Sequence, residues 1–321
     1  MRYAPMFACA LVAVGPLTAA AQPYPSKPLR LVVPQPAGGP TDAIGRLFAA
    51  MLSDGLGQNV VVENRVGAGG TVGTTAVARS KPDGYTLLVA TAGVMSIAPH
   101  LYTKVDYDPI ADFQHVSLLT KTVTVLVVHP SFPAKSVGEL VKLAKSKPGQ
   151  INMASGGNGT VSHLTGELFK TMAGIQVVHI PYKGSATAAT EVMGGQVEMF
   201  FLILNEGIGH IGSGRLRGLA TTGPQRAKHM PNVPTVAEAG IKGFESVTWY
   251  GISAPPGLPA DVASKLVSVS TQGVQKSPFR DRYDAAGMEL VGSTPDAFVA
   301  HIKSELAKWS KVIAQSGAKV Q

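Results

Sequence analysis

The stretch LRLVVPQPAGGPTDAIGRLFAAML, Leu29 to Leu52, ends an apolar run in prolines and paired glycines and turns directly into a helical pattern. Strand, glycine-rich turn and helix start in immediate succession are the parts of an α/β sheet. The turn also leaves backbone N–H groups free at a helix start, a seat for an anion. The device recurs in the other half of the chain as INMASGGNGTVSHLTGELF, Ile151 to Phe169. Each copy reads as strand, glycine turn, Thr/Asp/Ser cap and helix.

Outward from these two units, short β-rich runs alternate with helical patterns along most of the 321 residues. Strands are predicted at 29–33, 59–62, 86–90, 122–128, 151–154, 177–180, 197–202, 216–220 and 249–254. Helices are predicted at 42–52, 137–146, 162–172, 186–193, 259–274 and 295–314. In the last of these Phe298, Ile302, Leu306, Trp309 and Ile313 recur at three- and four-residue steps, which makes one apolar stripe and assigns Trp309 to the core. The fold class is therefore α/β, with mixed, mainly parallel sheets flanked by helices.

Residues 1–21 are set aside as a signal peptide. Arg2 precedes an apolar stretch from Met6 to Leu17, and Ala19 and Ala21 stand in A-x-A spacing before a cut after Ala21. Cys9, the single cysteine, lies inside it, so the mature chain has no disulfide or thiol chemistry and suits the periplasm. A formal net charge of +8 invites a nucleic-acid reading. Against it, the basic residues are dispersed, with nothing denser than RLR and KSK, and aromatics make up 6% of the chain. A basic exported protein that attracts anions weakly over its surface fits better, and no nucleic-acid partner is expected.

The two loops, Ala37 to Asp42 and Ser155 to Thr160, match no nucleotide motif. There is no G-x-x-x-x-G-K-[ST], and GAGGTVG from Gly67 places Val72 where a dinucleotide fingerprint needs its third glycine. With no Lys or Arg in either loop, a planar, singly charged carboxylate suits the seat better than a polyphosphate. Thr41, Asp42 and Thr160 serve equally well as N-caps. No G-x-S-x-G, no H-E-x-x-H and no pair at metal-ligand spacing occurs among the eight histidines. Ser162 and His163 are sequence neighbours, which on a helix point about 100° apart, so they form no nucleophile and base pair. No cofactor and no metal is expected. A third turn, at Tyr182, Lys183 and Gly184, follows a strand and precedes a helix, and Tyr182 is a candidate wall for a cleft at the strand ends.

In order and spacing, PAGGPTD, VVENRVGAGGTVG, KPDGYTLL, DYDPIADFQHVSLL, PAKSVGELVKLAKSKPGQINMASGGNGTVSHLTGELF, HIPYKGSA, GRLRGLATTGPQR, NVPTVAEAG and WYGISAPPGLP resemble one family. They are similar to the Bug proteins, the extracytoplasmic receptors of tripartite tricarboxylate transporters. The resemblance spans essentially the whole mature chain. It implies two α/β lobes of the type II periplasmic-binding-protein kind, residues 22–121 plus 247–321 and residues 122–246, with the second crossover somewhere within 219–250. It implies a carboxylate solute held between two glycine-loop pincers, and delivery to membrane permease subunits of a tripartite transporter. A sensor-kinase partner is the alternative. A hydrolase using the second loop's hydroxyls is a further one, for which the sequence offers no base.

Carried onto this chain, the pincers are Gln35, Ala37, Gly38, Gly39, Thr41 and Asp42 in one lobe and Ser155, Gly156, Gly159, Thr160 and Ser162 in the other. Two departures bear on the ligand. VEMFFL puts Leu202 where the family has an acidic residue, and Val94, Met95 and Ser96 replace a more polar stretch. A missing acid removes a partner for an amino group, so the expected ligand is a mono- or dicarboxylate with an aromatic or alicyclic body, touching Met95, Ser96, Tyr182 and Leu202.

Overall fold

A computed structural model describes residues 23–319; the signal-peptide reading and Cys9 lie outside the described residues. The chain opens with β1 (Leu29–Val33), α1 (Pro40–Leu56), β2 (Val60–Asn64), α2 (Thr71–Ala78) and β3 (Thr86–Thr91). A wide helical turn at Gly93–Ile97 leads into α3 (Ala98–Leu101) and the 15-residue β4 (Gln114–Val128). Next come α4 (Val137–Ser146), β5 (Asn152–Ser155), α5 (Val161–Ala173), β6 (Val178–Pro181), α6 (Ser185–Met193), β7 (Met199–Ile203), α7 (Leu204–Gly212) and β8 (Arg217–Thr221). The chain returns through β9 (Val247–Ala254), α8 (Ala260–Gly273), α9 (Phe279–Ala285), β10 (Glu289–Leu290) and α10 (Pro295–Ser316).

The strands form a continuous path β2-β1-β3-β9-β4-β7-β5-β6, with β8 and β10 also on β4. Parallel pairing joins β1 to β2 and β3, and β5 to β6 and β7. These are the strands linked through crossover helices, as parallel neighbours require. β4 and β9 instead pair antiparallel with every neighbour. The expected mainly parallel sheets are thus parallel at their flanks and antiparallel along the middle, because β9 brings the chain back from the second half of the fold.

β4 is long because it serves both halves. Gln114 to Val123 lie against β9, whereas Thr124 to Val128 lie against β7 and β8. At the change of partner Thr222 ties the two crossings together. Its Oγ1 accepts from Thr124 N at 2.9 Å and donates to Ser246 O at 2.6 Å, while its carbonyl accepts from Ser246 N at 2.8 Å.

Buried side chains cover both faces of the sheet. Leu29, Leu31 and Val33 pack with Ile44 and Phe48 of α1 and Leu266 of α8, while Val32, Leu88 and Ala90 face Phe298, Ile302 and Trp309 of α10. A strand buried on both faces reads as an apolar run without alternation, which is why LRLVV was legible. The α10 stripe is buried as its spacing demands, with Trp309 fully enclosed and its Nε1 donating to Glu305 Oε2 at 3.0 Å. In the second half, Leu126, Met153, Phe169, Phe201 and Phe244 form one layer and Val125, Phe200 and Leu202 another.

Candidate functional site

The first glycine loop runs from the end of β1 into α1, whose first position is Pro40 and whose N-cap is Gly39. Asp42 holds it in shape. Its Oδ2 accepts from Gly38 N at 3.0 Å and from Arg46 Nε at 3.0 Å, and its Oδ1 accepts from Asn64 Nδ2 at 2.9 Å. Burial pushes the Asp42 carboxyl upward, but those three donors together outweigh it and hold the group below the usual carboxylate range. Gly38 sits at φ +78°, which favours glycine.

The second loop joins β5 to α5. The Thr160 hydroxyl caps α5, accepting from His163 N at 3.4 Å, and donates to Gly157 O at 2.7 Å. The Ser162 hydroxyl accepts from Gly156 N at 3.1 Å. Beneath the loop two imidazoles stack face to face, His163 on His179, with centroids 4.0 Å apart and planes 11° from parallel. Gly159 N donates to His163 Nδ1 at 3.3 Å, and Ser155 Oγ pairs with His179 Nε2 at 2.6 Å. Burial pushes His163 down to about 3 and His179 down to about 4, the neighbouring ring and Lys170 adding to the first and Lys170 to the second. Both rings are therefore neutral at pH 7, as an Nδ1 that accepts a backbone N–H requires.

The third turn is bonded to the second, Tyr182 N donating to Ser155 O at 3.0 Å and Gly184 N to Gly156 O at 3.1 Å. It leads into α6, whose N-cap is Gly184. Three helix starts thus meet around one cavity of about 160 Å³. None of their first-turn N–H groups has an intrahelical partner, and each helix dipole adds positive potential there. Across the opening, Tyr102 OH after α3 donates to Asn158 O at 3.3 Å, so the two halves touch beside the second loop.

The cavity walls mix donors with apolar surface. Gln35, Ala37, Gly39 and Thr41 come from the first loop, and Gly156, Thr160 and Ser162 from the second. Lys183, Ser185 and Thr187 line the third side, Thr91 and Gly93 the first half's sheet edge, and Ile203, Thr248 and Tyr250 the floor. Tyr250 is buried to 1% exposure, and Thr41 and Thr248 lie beside its hydroxyl. Burial pushes its pKa above the ordinary tyrosine range, so it stays a neutral donor or acceptor.

Residues 44–318 match the family described as tripartite tricarboxylate transporter family receptor. The chain belongs to that family. It is a family of solute-binding receptors, not of enzymes. Protein BugT of Bordetella pertussis is 35% identical over 302 residues, covering 94% of this chain and 93% of that protein. The periplasmic binding protein BugD superposes with a TM-score of 0.87 at 36% identity, covering 93% of this chain and all of that one. Rpa4515 of R. palustris, solved with adipate, superposes with a TM-score of 0.89 at 32% identity over 92% of this chain and all of that one. The two-lobed periplasmic-binding-protein fold and the Bug resemblance are thereby shown.

Within this receptor fold the structure brings together Gln35, Ala37, Gly39, Thr41, Gly156, Thr160 and Ser162 at the cavity. Gly38, Asp42, Ser155 and Gly159 shape the loops from beneath or beside it. Met95, Ser96 and Leu202, by contrast, are fully buried away from it, Met95 in the α10-facing core and Leu202 beside Val125 and Phe200. The reason at β7 is the two-residue period of a strand. Leu202 faces the core, so its neighbour Ile203 faces the cavity. Tyr182 packs half-buried against the Leu202 layer, and Lys183 and Ser185 stand at the cavity in its place. The loops carry no cation of their own, but Lys183 adds one to the wall. Thr91, Ile203, Thr248 and Tyr250 escaped sequence reading because each is one face of a strand end with no local motif. Among the described residues no cluster of His, Cys, Asp and Glu fits a metal, and no helix is long and apolar enough to cross a membrane.

Proposed function

We propose that this chain is a periplasmic solute-binding protein that captures a small carboxylate between lobe 1, residues 22–121 plus 247–321, and lobe 2, residues 122–246. It then delivers the solute to the membrane permease of a tripartite transporter. The observation that carries this reading is the meeting of three helix starts, from both halves of the fold, on one cavity of about 160 Å³. The carboxylate is held by first-turn N–H groups and by the hydroxyls of Thr41 and Ser162, while Thr160, its proton given to Gly157 O, holds the loop in shape. Pro36, Pro40, Val161 and Ile203 supply apolar wall for the solute's body, which favours an aromatic or alicyclic acid over an amino acid. The adipate in the relative supports a carboxylate ligand with an apolar middle.

Isothermal titration calorimetry against benzoate, cyclohexanecarboxylate, adipate, aspartate and glutamate tests it. Reversible one-to-one binding of the apolar acids is expected. Tight binding of aspartate or glutamate with none of the others would overturn the apolar body, and no binding of any acid would overturn the carboxylate.

A further inference from the structure

One carboxyl next to the cavity has no place in an anion seat. Glu206 lies in the first turn of α7, just after Ile203 on the cavity floor. Its Oε2 accepts the Ser185 hydroxyl proton at 2.5 Å, and Ser185 lines the cavity. No Lys, Arg or His comes within ion-pair distance of Glu206 among the described residues. Lys183, in the neighbouring turn, is exposed and pairs with no carboxylate there either.

A serine hydroxyl owns one proton and two lone pairs. With the proton committed to Glu206, Ser185 offers the cavity lone pairs only. A second carboxylate brought against Ser185 Oγ, rather than against Lys183 or the α6 N–H groups beside it, meets an acceptor backed by a carboxyl with no cation partner, whereas a hydroxyl meets a partner for its proton. Burial, opposed by the Ser185 hydrogen bond, pushes the Glu206 carboxyl above its ordinary range, in keeping with a charge short of solvent and cations.

We propose that the Ser185–Glu206 pair makes this side of the cavity a hydrogen-bond acceptor, selecting carboxylates that carry a hydroxyl on their apolar body over those that carry a second carboxylate there. The inference rests on the carboxylate reading above. Ser185 touches the ligand and Glu206 is a positioning residue that fixes the direction of its proton.

Two matched series test it: hexanoate, ω-hydroxyhexanoate and adipate; and benzoate, para-hydroxybenzoate and terephthalate. The readout is the ratio of affinities within a series, measured on the wild type, Glu206→Gln and Ser185→Ala, with melting temperature as a check on folding. In the wild type the hydroxy acid binds about tenfold tighter than its parent and tighter than the diacid. Glu206→Gln, which removes the charge and supplies an amide N–H that can donate to Ser185 Oγ and release its proton, raises diacid affinity relative to hydroxy acid by about tenfold or more, and Ser185→Ala abolishes the preference for the hydroxy acid. Diacids that bind best to the wild type, or ratios that neither variant moves, overturn the inference and leave the carboxylate reading standing. Failure of all six acids overturns both.

Discussion

Gly159 and Gly174 flank opposite ends of α5, and both have left-handed backbone, φ +78° and +62°. An alanine at either site carries about 1–2 kcal/mol of strain in the free and the bound protein alike. That strain lowers the melting temperature and leaves affinity unchanged. The two sites differ in surroundings. A methyl on Gly174 meets nothing within 4 Å, whereas one on Gly159 stands 3.1 Å from Leu101 Cδ2 and 3.1 Å from Tyr102 Cε2, both from the other half of the fold. This contact exists only where the halves meet, at the Tyr102–Asn158 hydrogen bond. Crowding it by a few tenths of an ångström costs about 1–2 kcal/mol, the low end of overpacking, and on the proposed closure of the two lobes around the solute this cost falls on the closed state. Gly159→Ala should therefore weaken binding about 5- to 30-fold, while Gly174→Ala melts early and binds normally. Calorimetric titration with the tightest acid of the panel, alongside thermal melts, separates the two. Equal affinities in wild type and Gly159→Ala, with the same fall in melting temperature for both variants, would refute the argument that the second loop closes against α3.

Asp42→Ala strips the acceptor from Gly38 N and Asn64 and should lower unfolding free energy by about 2–3 kcal/mol, read by urea titration. It should also weaken every panel acid together, since the first loop loses its anchor. Trp309→Ala should cost about 3–5 kcal/mol, with little effect on affinity per folded molecule, because the side chain is fully enclosed in the α10-facing core. Stability should fall on mild acidification. His163, held to about 3, and His115, held to about 4, stay neutral in the folded chain, while the unfolded chain takes up protons below about 6.5. Above that pH the two states bind equal numbers of protons. Between pH 6.5 and about 4 the unfolded state gains, at up to about 1.4 kcal/mol per pH unit for each ring. Asp42, held low, contributes only below about pH 4, outside this window, whereas Glu206, held high, takes up its proton first in the folded chain and offsets part of the loss. Urea midpoints that do not change between pH 7 and 5 would contradict the assignment.

What the sequence disclosed and what it withheld follow a physical line. α4 is bounded at Val137 and Ser146 as predicted, because Ser136 caps it and its apolar spacing is regular. α7 was missed because LNEGIGHIG has poor helix propensity. Tertiary packing makes it a helix, with Gly207 so close to β4 that an added Cβ would stand 2.9 Å from Val125 Cγ1. The two glycine loops were legible for the same reason as α4. A glycine turn followed by an N-cap is local chemistry, and both loops stand where their strands end. Which side of β7 meets the cavity is a global property. A one-residue choice separates Leu202 in the core from Ile203 at the cavity, and nothing in MFFLI makes that choice. Thr248 and Tyr250 reach the floor only because β9 returns from the second half to pair with β3 and β4.

The same line divides the site by role. The loop backbones are fixed by buried and half-buried polar groups that lie beneath them: Asp42 with Asn64 under the first, and the His163–His179 stack under the second. These groups set the direction of the N–H donors proposed to hold the carboxylate, so changes to them should scale all affinities by one factor. Ile203 and Ser185 line the part of the cavity proposed for the solute's body, with Glu206 behind Ser185, and changes there should alter ratios between solutes. A free-energy change that is equal for every ligand cannot produce specificity, since specificity is a difference of affinities. On the proposed reading, selectivity is therefore expected from the β7–α7 floor and the start of α6, the parts of the site that local sequence motifs left unmarked.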